Sequence, residues 1–197
     1  MENNKINKEF TEASVEMKRV IIAKDVIKQI IANKFKAETG KYMRFTYDGI
    51  SMFPDSIFRN LVEIKGRKEC ELQEIIQDEN IKCRVCALGS CFLSLINLND
   101  NYKLNEDISY ILSGVERTQH EIAKVLSPYF SISQLRLMEN TFEANDLPGY
   151  IRHDCIELNG IELTDKAMNF GSVYIKDNDR LIAIMQNIID NNGEFKP

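Results

Sequence analysis

Cys83-Arg-Val-Cys-Ala-Leu-Gly-Ser-Cys-Phe-Leu-Ser-Leu-Ile-Asn97 is the stretch on which the reading of the fold turns. Wound as an α-helix, it carries Val85, Leu88, Phe92, Leu95 and Ile96 on one side. The other side carries Cys83, Ala87, Ser90 and Ser94, all small. Arg84 is the only ionic residue, so neither face suits water. A helix that is apolar or small all round is buried on every side, and small residues let a second backbone come close. The stretch predicts a central helix over about 83–97 with the other elements packed round it. The fold class expected is mainly α, a single compact helical domain with a few short strands; α+β is the alternative.

Upstream, Val20, Ala23, Ile27, Ile30 and Ile31 recur at helical spacing and predict a helix from Ser14 to Phe35, with Gly40 as a stop signal. Lys41 to Tyr47 alternates like a strand, and Asp48-Gly49 reads as a turn. Short helices are expected at Ile57–Val62, capped by Asp55, and at Glu69–Asp78. Downstream, Thr118-x-x-Glu121 and Ser131-x-x-Gln134 are capping boxes that open two helices, the first ended by Ser127-Pro128. A last helix spans Asn178 to Asn191, with Leu181, Ile184, Met185 and Ile188 inward and Gly193 as its left-handed cap. Leu147 to Lys176 reads as irregular, with short strands at Cys155–Leu158 and Ser172–Ile175. Residues 1–13 are expected to form a flexible N-terminal segment and 14–197 one helical domain.

With 197 residues, 44% hydrophobic, the chain can bury a core without disulfides or metal. A net charge of −5 gives no general attraction for nucleic acid. No run approaches the length of a membrane span, and the N-terminus lacks the apolar core of a signal peptide. A cytoplasmic location is expected, so the five cysteines are read as thiols.

Cys83-x-x-Cys86 has the spacing of half a zinc site, which Cys70, Cys91 or His153-x-Cys155 would have to complete. No matching second half follows, and buried structural thiols are the preferred reading; no metal and no cofactor are expected. The same residues allow a cysteine nucleophile, Cys86 with His153 as base and Asp154 as orienter. His120, in the first turn of its helix, is the other candidate base. Thioredoxin-like redox chemistry lacks its βαβ setting, and the glycines form no phosphate loop. Aromatic and basic residues collect after the first helix. Tyr42, Arg44, Phe45, Tyr47, Phe53 and Arg67 are the candidate binding residues there, against a reading in which the aromatics only fill the core.

Cys86-Ala87-Leu88-Gly89-Ser90 resembles a Cys-Ala-(Ile/Leu)-Gly-Ala signature of uncharacterised small bacteriophage and mobile-element proteins. Arg180-Leu181, Met185, Asn187-Ile188-Ile189 and Asn192 to Pro197 are similar to the ending of the same group. Ser90 and Cys91 depart from its small and aliphatic residues. The resemblance implies origin and carries no activity; in that setting the small helix face implies close packing round Ala87 and Gly89. The function expected is a non-catalytic binding or regulatory protein that acts on a host or element macromolecule, a protein partner before nucleic acid. Its surface would be Lys41–Lys68 or Leu147–Lys176. The alternatives are a cysteine-dependent hydrolase or transferase and a small-ligand-binding protein.

Overall fold

A computed structural model describes residues 8–40, 42–47, 50–52, 76–98, 118–145 and 149–197. Among the described residues, after a short helical stretch at 8–12, the elements follow in order: α1 (Val15–Ile31), β1 (Phe35–Ala37), β2 (Met43–Tyr47), β3 (Ile50–Met52), β4 (Ile81–Val85), α2 (Ala87–Leu98), α3 (Thr118–Leu126), α4 (Ile132–Phe142), α5 (Gly149–Ser172) and α6 (Asp177–Asp190). The fold is mainly helical with a small sheet of strand order β1-β4-β2-β3. β4 runs parallel to β1 and antiparallel to β2, and β2 pairs antiparallel with β3.

The decisive stretch divides in two. Ile81, Cys83 and Val85 point inward and Lys82 and Arg84 outward, the period-two pattern of a strand, so 81–85 is β4. The helix begins only at Ala87, where all of Ala87–Ile96 is buried. Cys86 is the hinge between the two: its carbonyl accepts from Ser90 N–H and its sulfur from Gly89 N–H, which caps the helix. As the all-round burial required, α2 is central, packed against α1, α3, α4 and β4. An ideal Cβ on Gly89 would lie 1.8 Å from the Tyr42 carbonyl oxygen, so glycine there is what lets the chain before β2 cross the helix.

α1 starts at its Ser14 cap but stops at Ile31, short of the expected Phe35. Asn33, at φ 55°, turns the chain into β1, and Phe35 is a buried strand residue. Gly40 (φ 76°) therefore serves the β1–β2 connection and does not end a helix. The expected strand before the Asp48-Gly49 turn is β2. Its pairing sets Tyr47 opposite Ile50; the turn itself lies outside the described residues. So does the expected helix at 57–62, and of 69–78 only the end is described. Residues 8–12, expected to be flexible, are helical, and Phe10 is buried against Tyr129.

The largest departure is α5. The region 147–176 was expected to be irregular; instead 149–172 is helix, broken at Gly160 (φ 77°, ψ 164°), a conformation almost confined to glycine. Its second half buries Thr164, Ala167 and Gly171 against α4. A Cβ on Gly171 would meet the Thr141 carbonyl at 1.9 Å. A contact face built of small residues gives no aliphatic periodicity, which is why the sequence reads as irregular.

α3, α4 and α6 begin and end close to where their signals lie, with Ser131 accepting from Gln134 N–H and Gly193 (φ 95°) donating to Ile188 O. Gln134 departs from the capping-box pattern. Its amide brackets the backbone of Phe195, accepting from its N–H at 2.7 Å and donating to its carbonyl at 3.2 Å. Asn187 brackets Lys196 in the same way, and Phe195 is buried edge-on to Phe170.

Candidate functional site

The candidate nucleophile and the start of the aromatic region meet at one place, the junction of β4 and α2 under the β1–β2 connection. Cys86 N–H donates to Tyr42 O at 3.1 Å, and the Tyr42 hydroxyl donates to Glu139 Oε1 at 2.6 Å. Glu139 also takes Arg136 Nη1 at 2.7 Å. One turn on, Glu143 accepts Gly40 N–H at 2.9 Å. From α6, Asp177 accepts Thr39 N–H and Asn178 accepts Ala37 N–H. Acceptors from α6 and from the C-cap of α4 thus hold the N–H groups of Ala37, Thr39 and Gly40, while Glu38 N–H donates to Val85 O on β4.

Burial, with the carboxylates of this cluster adding to it, decides what Cys86 does. The helix N-terminus and the Gly89 N–H favour a thiolate, but burial dominates and the charges of Glu139 and Glu143 add to it. The Cys86 thiol is therefore held well above its usual range, the reverse of an activated nucleophile. Cys83 and Cys91 are pushed up to about 12 by burial, and Cys155 is raised by the same cause.

Glu143 is itself pushed up to about 7, first by burial and then by the neighbouring Glu139 and Asp177, against the opposing effects of Gly40 N–H and Arg180. The unfolded chain releases this proton near pH 4.5, the ordinary glutamate value. Between there and about 7 the folded chain keeps it, so stability falls as pH rises through that window. The full effect is on the order of 3 kcal/mol. Glu143→Gln is expected to remove this part of the slope, read as the difference between variant and wild-type urea unfolding at pH 5 and pH 8.

The expected base is not brought to the thiol. His153 is exposed on the outer side of α5, where its Nδ1 lies 3.8 Å from Glu157. Asp154 lies 3.4 Å from Arg136 Nη2. Among the described residues no hydrogen bond or ion pair joins Cys86 to His153. The side chain of His120 lies outside the described residues. Cys83 and Cys86 face the core from a strand and a hinge, and no metal-ligand group among the described residues includes either. His153, Asp154 and Glu157 present ligand atoms within 4.8 Å of one another, but Asp154 is engaged by Arg136 and the group stands open to solvent.

Of the candidate binding residues, Phe45 is a core residue, its inward place set by strand alternation with Met43. Tyr42 is half-buried and committed to Glu139. Arg44 stands on the outer sheet face. Phe53, Arg67 and the Tyr47 side chain lie outside the described residues.

Sequence reasoning missed an apolar surface. Ile132 (56% exposed), Leu158 (49%) and Ile161 (62%) surround the point where α4 begins and α5 breaks. Ser133 and Asn159 tie the two helices there, with Asn159 Nδ2 donating to Ser133 O and the Ser133 hydroxyl to Asn159 Oδ1. The signal was Leu158 and Ile161 flanking Gly160, legible only once the segment is known to be helical.

Comparison of the chain with protein-family models, curated proteins and solved structures gives no match. Among the described residues no helix is long and apolar enough to cross a membrane.

Proposed function

We propose that the protein is a non-catalytic binding protein that docks a protein partner through the face where α4 meets the break in α5. The observation that supports this reading is the group of Ile132, Leu158 and Ile161, exposed on two helices locked by the Ser133–Asn159 hydrogen bonds. A fixed aliphatic cluster has the composition of an interface centre. The same helix, α5, carries the exposed Arg152–Asp165 and Lys166–Glu162 ion pairs. Leu158 and Ile161 lie within 147–176, one of the two regions singled out from sequence, and Ile132 lies outside it. The buried, protonated Cys86 weighs against a cysteine hydrolase or transferase. The bacteriophage and mobile-element resemblance suggests a host or element-encoded protein as the target.

The test compares two immobilised full-length baits, wild type and Ile132→Ser/Ile161→Glu, against extract of the source cell. Both substitutions are at exposed positions and are expected to alter stability by no more than about 0.5 kcal/mol each. A partner held by wild type and reduced about tenfold on the variant is the expected result, about 1.4 kcal/mol of binding. Retention of no partner, or equal retention by both baits, would overturn the proposal.

A further inference from the structure

The sheet has a second face, and its charge is one-sided. Strand alternation turns Phe35, Ala37, Met43, Phe45, Ile81, Cys83 and Val85 to the core. Outward, Lys36 and Lys82 are exposed and Arg44, Thr46 and Arg84 partly so. The register makes three of the cations a row: Lys36 on β1 stands beside Arg84 on β4, which stands beside Arg44 on β2. Neighbouring strands are about 5 Å apart, so the three positions fall within about 10 Å. Glu38 offsets Arg84 at 3.3 Å. Among the described residues Lys36, Arg44 and Lys82 have no carboxylate partner. Like charges directly opposite one another on a sheet are destabilising, so the chain bears a standing repulsion that an anionic ligand would relieve.

We propose that this outer sheet face, with Lys36, Arg44, Lys82 and Arg84, is a docking surface for a short acidic segment of a partner protein. Charge complementarity selects an anion, and arginine matches carboxylates by paired hydrogen bonds. The whole chain carries −5, so the surface beyond this basic face has a negative excess. A long polyphosphate would run off the patch onto that repelling surface, whereas a few carboxylates confined to the row would not. The face is separate from the apolar cluster of α4 and α5, and the inference does not depend on it.

Labelled poly-glutamate peptide and labelled oligothymidylate, each titrated with the full-length protein and followed by anisotropy, test the assignment. Poly-glutamate is expected to bind at low salt and to weaken at about 150 mM salt, where screening sets in over about 8 Å. Lys36→Gln/Arg44→Gln, which leaves the Arg84–Glu38 pair intact, should weaken it about tenfold. Lys166→Gln, a charge change on α5, should leave it unaltered. The same double variant should melt about 1–3 °C higher than wild type at low salt, because the row's repulsion is reduced. This second readout also reports that the variant is folded. No binding of poly-glutamate, equal binding by the double variant, tighter binding of oligothymidylate, or a lowered melting temperature would each overturn the proposal.

Discussion

Gly89→Ala is expected to lower the unfolding free energy by about 4 kcal/mol or more, the larger of the two strongest effects. The new methyl carbon would lie 1.8 Å from the Tyr42 carbonyl oxygen and 2.8 Å from its carbon, inside backbone that cannot rotate away. Relief requires the segment before β2 to move off α2. That movement breaks the Cys86 N–H bond to Tyr42 O and disturbs the Tyr42–Glu139 contact. Alanine's better helix propensity returns about 1 kcal/mol, which is small against the overlap. Urea unfolding of the purified variant measures the difference. A loss below about 1 kcal/mol would show that Tyr42 is not pressed against α2.

Arg180→Met is expected to cost about 3–5 kcal/mol. Arg180 is 0% exposed, and its guanidinium donates to Gly171 O at 3.0 Å, Phe142 O at 2.8 Å and Tyr174 O at 2.7 Å. Two of those carbonyls belong to the last turns of α4 and α5, so one cation caps both helix C-termini and meets their negative dipole ends. Asp177 accepts from it at 3.2 Å. Methionine fills most of the space but removes the guanidinium donor from Phe142 O and Tyr174 O, while Gly171 O keeps the Tyr174 N–H. Arg180→Lys keeps the charge and loses the fork, and should recover less than half the difference. A lysine variant as stable as wild type would show that charge alone matters. Loss of the positive charge should also raise the pH at which Glu143 ionises still further, since Arg180 opposes its upward shift.

Both positions were on the page as letters without their meaning. Gly89 was read as part of a small helix face implying close packing, and that implication holds; the segment it packs against could not be named. Arg180 entered only as part of the Arg180-Leu181 resemblance, which gave it no role. What makes it a cap is the arrival of two other helix ends. Glu139 drew no notice, and Glu143 was weighed only as a pair with Asp146 that a loop or helix start explains, because a carboxylate on a helix normally faces water. Here the β1–β2 connection closes over them.

Local pattern and local chemistry by themselves determined the mainly helical class, the starts of α1, α4 and α6, the stop at Pro128, the strand at 43–47 and the burial of 87–96. Each depends on near neighbours in the chain: a hydroxyl reaching an N–H three residues on, a missing N–H, or a side-chain period. Tertiary structure decided the remainder. Ile81 to Val85 became a strand because β1 and β2 offer it partners on both sides, while its run into α2 concealed the change of period. Gly149 to Ser172 became a helix because α4 accepts a face of Thr164, Ala167 and Gly171, an affinity of shape that leaves no hydrophobic signature. Protonation of Cys86, the inward turn of Phe45 and the cationic row of Lys36, Arg84 and Arg44 arise from strand register and burial. Those join residues far apart in the chain, and no single segment records them.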